Sequence, residues 1–141
     1  MITGRNGQTL SSKWKAEGTK TFLGLHSHGF PNLFIISGPQ GGGGSFNFTD
    51  AIDQHADYVV WMLETLRNNM HTVVDVKKEP EQEYAEHCRI ADITSQPLRD
   101  CISYYNGHGD AEPGSLAYYG GTRWHKFRTD AQTTLEPYQF N

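Results

Sequence analysis

No stretch of this chain approaches the roughly 20 consecutive apolar residues that a membrane helix requires; the run at 33–36 has only the length of a strand's core. Basic charge is also in short supply. Sixteen acids against twelve Lys and Arg leave a net charge of −4 and a pI near 5.9. That excludes a nucleic-acid or anionic-membrane binder working by bulk charge. The start, Met1-Ile2-Thr3-Gly4-Arg5, has no apolar segment behind a basic one, so no secretory signal is expected. Cysteine is nearly absent. Cys88 and Cys101 are expected to be reduced thiols in a cytoplasmic protein. Apolar residues make up only 36% of the chain, and mean hydropathy is −0.63. The supply for a self-contained core is thin, yet 12% aromatics is not the composition of a disordered chain. A length of 141 residues fits one domain or a piece of one.

The patterning predicts a mixed α/β chain. Ser11 or Ser12 is placed to cap a helical turn over 13–17, which Gly18 stops. Alternation over 19–25 and the apolar run at 33–37 predict strands, with a turn at 29–32 between them. Ile52, His55, Ala56, Val59, Met62, Leu63 and Leu66 recur at helical spacing, so a long helix starts near Asp50 and closes at Asn68-Asn69. Asp50 and Asp53 suit its positive end. A short strand is expected over 71–76, and a second helix over 81–90 with Pro80 at its first position. Residues 92–115 look irregular, 116–119 like a last strand and 124–128 like a last turn. Two or three strands are too few for a sheet covered on both faces, so the pattern reads as part of a larger sheet.

Motifs for the common chemistries are missing. The glycine run 41–44 lies between an apolar run and a helix start, where backbone amides converge on ligands. It matches neither G-x-G-x-x-G nor the G-K-[ST] ending of a P-loop. It reads equally as a flexible loop or as one approaching a ligand, walled by Phe46, Asn47 and Phe48. His26 and His28, with His55, could form a three-histidine metal set, but the spacing is not diagnostic and no metal is expected. No serine sits in G-x-S-x-G, and acids near Cys88 would raise its pKa. Dense aromatics after Cys101, Tyr104 and Tyr105 among them, read as anchors of a draped arm or as pocket walls.

Two blocks carry a resemblance. The first is Gly4-Arg5-Asn6-Gly7, Leu10, Trp14 and 18–24, then Gly29-Phe30-Pro31-Asn32-Leu33-Phe34 and Gly38-Pro39. The second is Cys101, Ser103-Tyr104-Tyr105-Asn106, then Tyr119-Gly120-Gly121, Trp124 and Phe127. Together they resemble the C-terminal part of Baeyer–Villiger monooxygenases, the class B flavoproteins, in the subgroup acting on bulky and polycyclic ketones. The resemblance implies FAD and NADPH as cofactors and conversion of a ketone to an ester or lactone. It makes the chain a partial Rossmann-type FAD-domain segment of two to four strands with one long and one shorter helix, residues 1–70 being its FAD-domain-like strand–loop–helix part. Residues 71–141 then form an irregular C-terminal arm. Gly38, Pro39, Gln40, Asn47 and Phe48 would border the flavin, and Phe46, Phe48, Tyr104 and Tyr105 would line the substrate pocket. Both dinucleotide fingerprints, the family's own fingerprint and its catalytic arginine have no counterpart here. The resemblance therefore implies a portion of the enzyme, not expected to act or to bind FAD or NADPH alone.

Three readings follow. The chain is the flavin-facing portion of such an enzyme, partnered by the missing N-terminal portion and a small-molecule substrate. Alternatively it stands alone and isomerises, hydrolyses or cyclises a polycyclic metabolite, with His26, His28, Asp50 or Asp53 as acid–base candidates. The third reading is a non-catalytic module covered by a second copy of itself. None involves nucleic acid or a membrane.

Overall fold

The computed structural model describes residues 1–42, 47–95, 102, 116–118 and 123–141. Among them lie four α-helices and one two-stranded sheet. The helices are α1 (Leu10–Glu17), α2 (Phe48–Asn68), α3 (Lys78–Ser95) and α4 (Arg123–Thr134). The strands are β1 (Val74–Val76) and β2 (Tyr138–Phe140), which pair antiparallel with Val74 opposite Phe140 and Val76 opposite Tyr138. The architecture is thus mixed but helix-rich. No described helix is long and apolar enough to cross a membrane.

The starts of α1 and α2 have local causes. Thr9 caps α1 through its hydroxyl, which accepts from the Ser12 amide at 3.1 Å, so the cap falls before the expected serines. Asn47 caps α2 by accepting from the Thr49 amide at 3.0 Å, while Asp50 sits in the first turn beside the positive helix end. Pro80 falls in the first turn of α3 rather than at its first residue. No bond is lost there, because the first four amides of a helix have no intrahelical acceptor.

Five sequence expectations are corrected. Residues 19–25 do not form a strand: Leu23 (φ 59°) and Gly24 (φ 73°) close a tight turn. That turn leaves a single bridge between Phe22 and His26. The alternation arises because this turn is buried, with Phe22, Leu23 and Leu25 all at most 3% exposed. Residues 33–37 are not a strand either, since the chain reverses at Asn32 and Ser37, both at positive φ. α3 runs to Ser95, into the stretch expected to be irregular, and the expected turn at 124–128 is the start of a 12-residue helix. The expected last strand finds no support over 116–118, and β2 has no counterpart in the expectations.

The core gathers Phe22, Leu23 and Leu25 of the turn, Tyr58, Met62 and Leu66 of α2, Val74 and Val76 of β1, and Tyr84 and Cys88 of α3. Tyr118, Trp124, Ala131 and Tyr138 complete it from the last quarter. The charged side chains buried in and beside this core, Lys13, Asp75 and Glu81, are paired. The Lys13 ammonium donates to both Glu81 carboxylate oxygens at 2.8 Å, to Ser27 Oγ at 3.0 Å and to the His28 carbonyl at 2.9 Å. Glu81 also accepts from the His28 amide at 2.8 Å and the Ser27 hydroxyl at 3.0 Å. Asp75, 1% exposed, accepts from Arg5 Nε at 3.0 Å, the Gly29 amide at 3.1 Å and Gln139 Nε2 at 3.3 Å. Such satisfaction is what makes a buried charge tolerable.

Candidate functional site: the glycine loop and the start of helix α2

Two backbone turns press against each other with no side chain between them. A Cβ on Gly24 would stand 2.0 Å from Gly41 Cα, and one on Gly38 would stand 2.5 Å from the Gly24 carbonyl oxygen. Only glycine permits this approach. Gln40, itself at φ 65° and 1% exposed, locks the loop. Its side-chain oxygen accepts from the Thr21 amide and hydroxyl, both at 2.9 Å, and its Nε2 donates to the Thr19 carbonyl at 3.3 Å. The Gln40 carbonyl accepts from the Tyr84 hydroxyl at 2.8 Å. The Gln40 amide donates to Leu116 and the Tyr118 amide to Gly42, so residues 116–118 run alongside the loop. Beyond the lock, a Cβ on Gly42 would meet nothing within 4 Å. The loop is rigid up to Gln40 and Gly41 and open at Gly42.

His55 ties this loop to α2. Its Nδ1 accepts from the Ser37 amide at 3.0 Å, which places the ring proton on Nε2. Nε2 is buried without a hydrogen-bond partner. A small cavity of about 10 Å³ beside it, lined by Gly41, Ala51, Gln54, His55 and Trp124, has room for about one water. Burial, aided by the Arg128 charge and opposed by the Gly41 backbone, lowers the His55 pKa to about 4. His26 is buried against Phe34, Tyr58 and Tyr138, whose hydroxyl is hydrogen-bonded to that of Tyr58. Burial lowers the His26 pKa to about 3.

Both histidines are therefore neutral in the folded chain near pH 7, and a pH dependence follows. Their folded pKa values lie below the ordinary 6.5, so the unfolded chain takes up protons first as pH falls. Their contribution to stability is complete above pH 6.5 and is lost on the way down to about 3–4. Each site contributes a slope of up to about 1.4 kcal/mol per pH unit. Urea midpoints measured from pH 6.5 to 5 should fall steeply, and His26→Phe with His55→Asn should flatten the profile. A flat profile in the unsubstituted chain would contradict the assignment.

The expected site residues divide clearly. Gly38 and Gln40 are buried in the loop, Pro39 is half-buried, and Asn47 and Phe48 are exposed at the start of α2. Residues 43–46, between Gln40 and Asn47 in the chain, lie outside the described residues. Phe46, Tyr104 and Tyr105 lie outside the described residues. The acid–base candidates are dispersed. His28 is half-buried with Nδ1 at 2.7 Å from the Val76 carbonyl, Asp50 accepts from Gln54 at 2.6 Å, and Asp53 is exposed. Among the described residues no hydrogen bond or ion pair joins either histidine to either aspartate, and no group of three or more His, Cys, Asp or Glu is placed to hold a metal. Cys88 is a free, buried thiol whose pKa burial raises to about 12, so it is inert. Sequence reading missed His55 and Thr21 as loop anchors; neither carries a motif, and only the fold brings them to residues 37–41.

A wider groove of about 560 Å³ lies between α3 and α4 and shares no lining residue with the glycine loop. Glu79, Glu83, Asp130 and Glu136 line it against Lys77 alone, which disfavours phosphate.

No protein-family model matches this chain. Curated relatives do. It is 35% identical over 126 residues to pentalenolactone D synthase of Streptomyces arenae, covering 85% of this chain and 21% of that protein. It is 31% identical over 130 residues to a Baeyer–Villiger monooxygenase of Penicillium patulum, covering 84% of this chain and 20% of that one. Among solved structures, a steroid monooxygenase bound to NADP superposes with a TM-score of 0.83 at 26% identity. That match covers 98% of this chain and 25% of the enzyme. The polycyclic ketone monooxygenase of Thermothelomyces thermophila shares the fold, with a TM-score of 0.82. The chain is thus homologous to one stretch of the Baeyer–Villiger monooxygenases. It spans about a fifth of the length of the curated relatives it matches.

Proposed function

We propose that this chain is the C-terminal, flavin- and substrate-facing portion of a Baeyer–Villiger monooxygenase that converts cyclic or polycyclic ketones to esters or lactones. Its first 70 residues belong to a Rossmann-type FAD domain and the remainder to the arm. The observation that carries the reading is near-complete superposition of this chain on a quarter of a steroid monooxygenase bound to NADP.

The site fits one edge of a flavin and not a whole dinucleotide. The locked backbone at Gly38–Gly41, the open face at Gly42 and the amide-rich start of α2 suit a flat, polar-edged ring that becomes anionic on reduction. No G-x-G-x-x-G is present to receive a pyrophosphate. A bound flavin supplies the redox chemistry; this chain supplies a rigid wall and a positive helix end. Gln40 and His55 hold the wall, Asn47 caps the helix, and Phe48 offers an apolar face. NADPH binding belongs to residues outside this chain.

Two measurements test the reading. Titration of the purified chain with FAD should give no saturable fluorescence quenching at micromolar concentrations. Replacing the aligned stretch of the Streptomyces arenae synthase by this chain should give yellow protein absorbing near ~450 nm that consumes NADPH with a ketone substrate, as flavoenzymes do. A folded but colourless chimera would overturn the proposal.

A further inference from the structure

Helix α2 is more apolar than its packing uses. At 3.6 residues per turn, its buried residues Ala51, His55, Tyr58, Met62 and Leu66 occupy an arc of about 80°. Phe48, Ile52, Ala56, Val60 and Leu63 continue the apolar surface over about a further 120°. Phe48 is 64% exposed, Val60 56% and Leu63 53%, with Ala56 exposed and Ile52 half-buried. The acids Asp50, Asp53, Asp57 and Glu64 all fall outside this double arc. A surface helix of a globular protein needs an apolar stripe little wider than about 100°. α2 carries nearly twice that width, and Phe48, Ala56, Val60 and Leu63 in its second part stay exposed.

Two further observations choose the occupant. The exposed stripe runs about 22 Å along the helix and is about 10 Å wide. Its footprint of about 220 Å² is far below the roughly 800 Å² per partner that a stable homodimer buries. A second copy meeting stripe to stripe is therefore too small a contact; the occupant has to reach beyond the helix. The stripe also begins at Phe48, beside the glycine loop. Ile36, which precedes the Ser37 amide bonded to His55, is likewise 45% exposed. A large polypeptide covering both the loop edge and α2 meets these conditions, and the relatives contain one: the four-fifths of their length that this chain does not match.

We infer that the Phe48–Leu63 face of α2 is the docking surface for the rest of the monooxygenase, through a complementary apolar face rimmed by basic residues that meet Asp53, Asp57 and Glu64. This rests on the proposed function and names the surface by which the portion joins its enzyme.

The test uses the full chain and, as probe, the Streptomyces arenae synthase shortened by its aligned stretch. The unsubstituted chain should capture the probe, Val60→Glu with Leu63→Glu should weaken capture at least tenfold, and the exposed polar-face control Asn68→Lys should leave it within twofold. Both substituted positions are exposed, so the double variant should melt within a few degrees of the parent. Equal capture by the double variant would place docking on another face and overturn the inference while leaving the proposed function standing. No capture by the parent chain would overturn it too, with the function still judged by the colour of the chimera. A parent dimer dispersed by the double variant in sedimentation would assign the face to a second copy. A large loss of melting temperature would assign it to the chain's own residues.

Discussion

Glu81→Ala is expected to cost about 3–5 kcal/mol of folding stability, a large part of what a domain of this size possesses. The loss comes from what remains rather than from what is removed. Lys13 is 2% exposed, and without Glu81 its ammonium keeps only the Ser27 hydroxyl and the His28 carbonyl as partners. The His28 amide loses its acceptor in the same step. Lys13→Met with Glu81→Leu should recover a good part of the loss, because a buried pair replaced as a pair leaves no stranded charge. The recovery should be incomplete, since the His28 amide stays unpaired at about 1–3 kcal/mol. Urea unfolding of the parent, Lys13→Met, Glu81→Leu and the double variant closes the cycle. A coupling below about 0.5 kcal/mol would show that the two groups act independently.

Gly24→Ala is expected to cost about 2–5 kcal/mol, the sum of overpacking and a left-handed backbone. The new methyl would overlap the Gly41 backbone, which has no rotamer to change, at a residue with φ 73°. Gly18→Ala separates the two contributions. Gly18 has open space around it but sits at φ 79°, ψ 161°, a region open essentially to glycine alone, so its variant carries a backbone cost of about 1–3 kcal/mol without any clash. Because the clash falls on the glycine loop, Gly24→Ala in the synthase chimera should also lower flavin retention more than its stability loss explains. Equal stability of the Gly24 and Gly18 variants would mean that the two turns are not in rigid contact.

The helices were legible where periodicity was long and unopposed. α2 runs from two residues before the Asp50 expected to open it to the Asn68 expected to close it, because its buried stripe recurs over about four turns. The two misread strands share one physical cause. β-branched and aromatic residues report burial as much as extension, and at 19–25 the burial belongs to a turn. There the Leu23 side chain enters the core while its carbonyl accepts from Trp124 Nε1. β2 was illegible because Tyr138, Gln139 and Phe140 form too short an alternation to register, and its partner lies over sixty residues upstream. The glycine loop was legible as a position but not as a structure. Nothing in the sequence links Gln40 to Thr21 or His55 to Ser37. α4 was read as a turn because its twelve residues carry little apolar periodicity, only Trp124 and Ala131 being buried.

Asp75 has a topological consequence. Its carboxylate holds Arg5 from the first turn of the chain and Gln139 from β2. The path between those residues therefore leaves and returns to one side chain, like a purse closed by a single drawstring. A segment whose extremities share an anchor can be lifted out of one polypeptide and set into another with a single pair of adjacent junctions. It can also be reopened elsewhere, with its old extremities joined, without stretching the path. The substitution Asp75→Asn would loosen that closure while leaving the Thr9 and Asn47 caps of α1 and α2 in place.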